Sequence, residues 1–229
     1  MAKKKKVVKR HKIKFLSILI LILVVVLLYF LINGILSFKI QNIYIHDTNF
    51  LNDEYILNIA KIEDYPSYVK NSTRILEKRL DESPYIKNAE VKKSFLGVID
   101  IYIEESKVLY YKEYDKKYVL DTGEEVDSLT YNFSPVRVIN YIPDLVYERF
   151  FKKVLEFNSD VLDKISQIKY DPSEYDDSRF LFYMVDGNYV YMTISKFETI
   201  NYYNQIYPTL NGKKGILYLD SGNHFQEFK

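Results

Sequence analysis

The sequence predicts an α+β protein anchored by a single N-terminal transmembrane helix. A small strand-helix-helix-strand-strand unit follows, then a mixed β unit with two packed helices. Three observations point there. Residues 15–38 contain no acidic or basic side chain. Beyond them, short alternating apolar runs interleave with stretches whose apolar residues recur every three or four positions, the strand and helix periods respectively. Glycine and proline are scarce, seven and six in 229 residues, which argues for a folded module and against a flexible stalk.

The charge-free run would span roughly 36 Å as a helix, against a hydrocarbon core of about 30 Å. Of the 18 residues in 15–32, 16 are Leu, Ile, Val or Phe, together favouring insertion by roughly 5 to 10 kcal/mol. A cleavable signal peptide would have an apolar region of about 7 to 15 residues followed by small residues of the A-x-A kind. Here the run ends Asn33-Gly34-Ile35-Leu36-Ser37 and offers no such site. Before it stand eight cations, Lys3, Lys4, Lys5, Lys6, Lys9, Arg10, Lys12 and Lys14, with no carboxylate before Asp47. The positive-inside rule places this tail, residues 1–14, in the cytoplasm. Removing these eight from the 32 Lys and Arg leaves 24 against 31 Asp and Glu, a net charge of about −7 for the rest. That balance disfavours nucleic acid as a partner, and the lysine run against a membrane helix reads as a topology signal. With no cysteine, disulfides and thiolate metal sites are excluded, and the part beyond the membrane must be stable by core burial alone.

Past the membrane, residues 39–46 read as a short strand carrying Ile40, Ile43 and Ile45. Asn52 is placed to cap a helix with Tyr55, Ile56, Ile59 and Ala60 on one face. Ser72 or Thr73 can cap a second helix through Ile75, Leu76 and Leu80, ending before Pro84. Two strands follow around a turn at residues 94–97. Residues 108–126 read as a tyrosine-rich hairpin region turning at Asp121-Thr122-Gly123, and residues 136–139 continue the sheet. After Pro143 comes an amphipathic helix with Tyr147, Phe150, Phe151, Val154 and Leu155 on its apolar face. A strand at 165–170 and an acidic loop at 171–177 lead to a hairpin, 180–185 with 189–194, around Asp186-Gly187. Ser195-Lys196-Phe197-Glu198 reads as a capping box opening a helix with Phe197, Ile200, Tyr203 and Tyr207 on one face. A last strand, 215–219, precedes a polar tail, 221–229.

Several motifs invite chemistry. Leu120-Asp121-Thr122-Gly123 and Leu219-Asp220-Ser221-Gly222 look like the paired motifs of a bilobed aspartic protease, in which two carboxylates share a proton. Only nine residues follow Asp220, too few for the rest of a second lobe, and Glu124 and Glu125 would oppose an ionised Asp121. Both motifs therefore read as turns at strand ends. His11, His46 and His224 have no companion at metal-ligand spacing. The acidic loop with Asp171, Glu174, Asp176 and Asp177 lacks the spacing and closing glutamate of an EF-hand. Asn71-Ser72-Thr73 and Asn132-Phe133-Ser134 fit the glycosylation pattern but serve as turn and cap residues. The sequence thus implies no catalytic residue, cofactor or metal. What remains is surface: an edge strand can bind a partner by strand addition, and strand 215–219 lies beside a short tail carrying Phe225 and Phe228. The alternative is an interior strand whose flanking aromatics cap the core.

In order and content the chain resembles the FtsQ/DivIB family of cell-division proteins, over essentially its whole length. The likeness is carried by residues 38–49 (FKIQNIYIHDTN), 80–105 (LDESPYIKNAEVKKSFLGVIDIYIEE), 118–126 (YVLDTGEEV) and 186–219. Two details depart from the family pattern: Ser106 stands where an arginine is common, and Asp47-Thr48-Asn49 where the family often has Gly-Asn. The resemblance implies a spanning helix at 15–37, a POTRA domain at 38–106 and a β-domain at 107–220. It implies a non-enzymatic divisome scaffold at the septal membrane that binds bitopic proteins of the FtsB/DivIC and FtsL type, with a septal penicillin-binding protein as a further partner. The family's partner-binding region corresponds here to Ile216, Leu217, Tyr218 and Leu219, with Tyr203 and Tyr207 on the preceding helix, beside Phe225. The competing expectations are the protease built on Asp121 and Asp220, and a POTRA-type factor that escorts polypeptides by strand addition. Relatives of that last kind carry a membrane barrel, and no series of about ten-residue barrel strands is present.

Overall fold

The computed structural model describes residues 15–229. The eight cations Lys3 to Lys14, on which the topology expectation rests, lie outside them. Helix α1 (Phe15–Ser37) is 23 residues long, with a mean hydropathy of 3.4 and no buried residue. Only its last turn meets the folded part, and only a bilayer solvates such a surface; it is the single helix among the described residues long and apolar enough to span a membrane. The chain leaves it without a linker. Ser67 Oγ donates to the Leu36 carbonyl at 2.6 Å, and Tyr68 N to the Phe38 carbonyl at 2.8 Å, so the folded part itself satisfies acceptors at and just beyond the helix C-terminus.

Five elements follow: β1 (Asn42–His46), α2 (Asp53–Ala60), α3 (Thr73–Leu80), β2 (Ile86–Ser94) and β3 (Val98–Glu105). They form a three-stranded sheet of order β1-β3-β2, with β1 parallel and β2 antiparallel to β3. Asn52 caps α2 as its sequence position predicts, its Oδ1 accepting from Tyr55 N at 2.7 Å. Ser72 holds the cap position of α3 but makes no side-chain cap bond. The helices bury Ile56, Ala60, Leu76 and Leu80 against Ala89, Val91, Ile99, Ile101 and Ile103 of the strands. Gly97 (φ +84°) closes the β2–β3 turn where a Cβ would come within 2.9 Å of Gln41 Cγ and 3.0 Å of the Lys39 carbonyl oxygen. Glu105 ties the end of β3 to the chain before α2, its carboxylate accepting the backbone N–H groups of Asn49, Phe50 and Leu51.

The second sheet has nine strands: β4 (Val108–Lys112), β5 (Lys117–Leu120), β6 (Glu125–Val126), β7 (Val136–Val138), β8 (Ile165–Tyr170), β9 (Arg179–Met184), β10 (Tyr189–Thr193), β11 (Gly215–Tyr218) and β12 (His224–Glu227). Their order is β12-β11-β10-β9-β8-β7-β4-β5-β6. Helix α4 (Asp144–Val154) buries Val146, Phe150 and Val154 in the core on this sheet. Tyr147 and Phe151 pack partly against it, whereas Leu155, expected on the apolar face, is exposed. A short α5 (Ser159–Leu162), unforeseen in the sequence, follows. The stretch opened by Ser195 departs from expectation. It is a 3-10 helix (Ile194–Tyr202), and no side-chain bond caps it, so the capping box does not form. It continues into a single turn of α-helix, α6 (Tyr203–Ile206), and a second 3-10 turn (Tyr207–Leu210). Its apolar face is still the expected one, with Phe197, Ile200 and Tyr203 buried. Phe197 sits among Phe150, Phe157, Phe180 and Phe182 at ring-centroid distances of 5.2 to 6.1 Å, the edge-to-face range.

The two sheets join through aromatic and polar contacts. Phe50 stacks on Tyr131 at 4.5 Å, Tyr85 OH donates to the Ser128 carbonyl at 2.6 Å, and Lys87 bridges Glu104 and Asp121 at 3.1 and 3.3 Å.

Candidate partner-binding site

A docking surface for another chain needs backbone groups or side chains that the fold leaves free, so the sheet edges come first. In the three-stranded sheet the long edge β2 is protected: Lys87, Lys92 and Lys93 line it, and Glu77 Oε1 accepts the Val91 N–H at 3.0 Å. In the nine-stranded sheet one edge is β6, only two residues long. Its Glu125 is held at 2.6 Å by Lys112, whose ammonium also meets Asp115 at 2.7 Å. Burial by itself would lower the Lys112 pKa, but the bonds to Asp115 and Glu125 hold it well above the usual lysine range.

The opposite edge is β12, and here the expectation is corrected. Strand 215–219 is not terminal. β11 lies between β10, to which it is parallel, and β12, to which it is antiparallel. Residues 224–227, within the stretch whose composition predicts a polar tail, provide the edge. Gly215 makes the pairing possible, since a Cβ there would lie 2.1 Å from the Gln226 carbonyl oxygen. Phe228 N donates to the Lys214 carbonyl at 2.9 Å. Inward-pointing backbone groups alternate along an antiparallel strand. Those of His224 and Gln226 therefore face β11, and those of Phe225 and Glu227 face away from the sheet. The signal for β12 was present in the sequence: Asp220-Ser221-Gly222-Asn223 has turn composition, with Gly222 and Asn223 at φ +91° and +52°, and Phe225 and Phe228 lie among polar residues beyond it.

The seven residues expected at the site divide. Leu217, Leu219 and Tyr203 are buried in the core, and Tyr207 and Phe225 are half-buried against it. Ile216 and Tyr218 lie on the other sheet face, where Tyr218 stacks between Tyr191 at 5.5 Å and His224 at 4.6 Å. Tyr203 is a structural pin: its hydroxyl donates to Asp186 Oδ2 at 2.7 Å and lies 3.3 Å from Asn188 Nδ2, while Asn188 Oδ1 accepts the Gly215 N–H at 2.9 Å. Burial, followed by the bond to Asp186, holds its hydroxyl well above the ordinary tyrosine range. Together these groups lock β11 to the β9–β10 turn.

The other motifs resolve into turns. Asp121 accepts Lys107 N at 2.9 Å at the β5–β6 turn, and Asp220 follows β11. Six strand spacings separate β5 from β11, roughly 28 Å along the sheet. The two carboxylates cannot share a proton. In the acidic loop, Asp171 is taken up by Lys169 at 2.9 Å, Arg179 at 3.2 Å and the Tyr191 hydroxyl at 3.2 Å. Asp176 accepts the Ser178 N–H and hydroxyl, both at 2.8 Å.

An apolar anchor leading directly into a strand-helix-helix-strand-strand unit defines a membrane-anchored POTRA protein, and residues 38–106 match the family model described as "POTRA domain, FtsQ-type". Relatives extend the match over the rest of the chain. It is 29% identical to the cell division protein DivIB of Listeria monocytogenes, over 98% of this chain and 86% of that one. It is 27% identical to DivIB of Bacillus subtilis, over 94% and 84%. Residues 38–106 are thus a POTRA domain of the FtsQ type, and over nearly its whole length the chain is similar to membrane-anchored cell-division proteins of the FtsQ/DivIB family. The major extracytoplasmic domain of the trans isomer of DivIB from Geobacillus stearothermophilus is similar at a TM-score of 0.39 and 21% identity, covering 47% of this chain and 96% of that one.

Proposed function

We propose that this protein is a divisome scaffold: held at the septal membrane with its N-terminus in the cytoplasm, it recruits bitopic division proteins of the FtsB/DivIC and FtsL type, and through them a septal penicillin-binding protein. It binds them at the β12 edge, where an extended partner segment adds as a tenth strand. The observation that carries this reading is the free outer side of β12, set against the defended β2 and β6 edges. Backbone pairing through Phe225 and Glu227 gives affinity, and the half-buried Ile216 and Tyr218 with the exposed His224 beside it give selectivity. The likeness to DivIB cell-division proteins makes division proteins the class of partner.

Glu227→Pro tests it, because the missing N–H lies on the outward side of the edge. With the purified full chain, binding to the extracytoplasmic segments of DivIC- and FtsL-type partners should fall at least tenfold. Glu227→Gln, which removes only the charge that meets Lys213 at 2.6 Å, should bind as wild type. Undiminished binding by Glu227→Pro would rule out strand addition at this edge. A fluorescent fusion should gather at midcell, and uniform membrane fluorescence with normal division would count against the septal role.

A further inference from the structure

An exposed apolar groove lies where α1 meets the first sheet, and partner binding at β12 does not account for it. The β2–β3 turn carries Phe95 and Leu96, 88% and 68% exposed. Leu96 is held at φ +65°, a conformation that bulky residues adopt only when something over-determines it. A glycine or asparagine would form the same turn without strain. The two side chains share a groove of about 510 Å³ with Phe38 and Val69, themselves partly exposed, and with Gly34 and Ile35 of α1.

The position of that groove identifies what covers it. At 23 residues α1 is about 35 Å long, against about 30 Å of hydrocarbon, so its last turn lies at the boundary between acyl chains and headgroups. Gly34 and Ile35 belong to that turn. Side chains in one groove with them stand at the same depth. Aromatic residues concentrate at this level of a bilayer, and Phe38, Tyr68 and Phe95 all line the groove. Cations border it: Lys39 follows Phe38, Lys70 follows Val69, and Lys93 lies over the Tyr68 ring at 3.9 Å. Such a border suits anionic headgroups.

We propose that the Phe95–Leu96 tip is a second membrane contact, inserted into the interfacial region of the leaflet at the C-terminal end of α1. A helix alone leaves the domain free to swing about its exit point. A helix plus an inserted tip sets which face of the three-stranded sheet lies on the lipid.

The chain contains no tryptophan, so single-tryptophan variants report position directly. Three full-length variants, Phe95→Trp, Leu28→Trp in mid-helix and Tyr175→Trp on a 96% exposed loop residue, are reconstituted in vesicles of phosphatidylcholine and phosphatidylglycerol. Lipids brominated near the headgroup end of the acyl chain serve as quenchers. Phe95→Trp should emit to the blue of Tyr175→Trp and be quenched at least twofold more. If Leu28→Trp is quenched and Phe95→Trp is quenched no more than Tyr175→Trp, the proposal is overturned. A blue shift without quenching also overturns it, because protein rather than lipid then covers the tip. If neither Leu28→Trp nor Phe95→Trp is quenched, the anchor assignment falls as well.

Discussion

Gly215→Ala adds one methyl group, and the fold predicts the sign of its effect. Gly215 has an ordinary backbone φ, and at such a position replacing glycine by alanine stabilises by about 0.4–1 kcal/mol through the unfolded chain. Here the added Cβ would lie 2.1 Å from the Gln226 carbonyl oxygen and 2.7 Å from Phe225 Cζ. The ring can turn away, but the carbonyl is the backbone of β12, so the edge strand must retreat by roughly 1 Å to reach van der Waals distance. A retreat of that size strains the pairing of Ile216 with Gln226 and the bond from Phe228 N to the Lys214 carbonyl. Losing two to four such bonds at about 1 kcal/mol each, less the chain entropy regained by a freed four-residue strand, leaves a net destabilisation of about 1–3 kcal/mol. For the full chain in detergent that is a fall in melting midpoint of about 2–10 °C. Hydrogen exchange should show the loss to be local, with protection falling at Gln226 and Phe228 and persisting in β9 and β10. A higher midpoint, or unchanged protection at Gln226, would refute the packing of β12 on β11 and with it the assigned edge.

Two further perturbations follow. Lys112→Met removes an ammonium that holds Asp115 and Glu125 and lies 5.1 Å from the Tyr147 ring centre. Both carboxylates are partly exposed and can rehydrate, so thermal unfolding at pH 7 should show a loss of about 1–2 kcal/mol, below the range for a fully buried pair. The Lys112 pKa is raised in the fold, so its contribution is complete below the unfolded lysine pKa near 10.4 and is lost as pH rises through the folded value; the two stability curves should converge at strongly alkaline pH. Asp171 behaves in the opposite sense. Burial alone would raise its pKa, but Lys169, Tyr191 and Arg179 hold it below the usual carboxylate range. Its contribution is complete above about pH 4 and is lost as pH falls through the lower folded value. Asp171→Asn should cost about 1 kcal/mol at pH 7, and urea titrations should show the gap to wild type closing as the solution is acidified below pH 4. A gap that widens in acid would contradict the ion-pair assignment.

Much of the fold was legible because the signals are local and strong. A charge-free run has one stable environment, so α1 followed directly from composition. Alternating and helical apolar periods placed β2, β3, β8, β9, β10, α2, α3 and α4 within a residue or two of where they lie, because each buries one face against a partner of fixed spacing. Asn52 was identifiable as a cap because its side chain reaches only three residues along the chain. Where the reading failed, the deciding interactions are not local. The helix after β10 winds as 3-10 because Phe197, Ile200 and Tyr203 must meet the aromatic core and Asp186 at once, and this overrides the capping box. Tyr203 looks like a helix-face aromatic open to a partner, yet the β9–β10 turn encloses it.

The sequence by itself determined the anchor, the order of most elements, most of the core and the family likeness, since these depend on composition, periodicity and motif order. Only the tertiary structure decided which strand ends the nine-stranded sheet. A strand is an edge or an interior member according to what lies beside it, and β12 is a four-residue polar stretch that pairs only because Gly215 lets its backbone approach. The tertiary structure likewise separated Asp121 from Asp220 by six strand spacings and brought Phe95 and Leu96 level with the end of α1, 58 residues earlier in the chain. Distances between segments remote in sequence are set by sheet order and packing, and no local pattern records them.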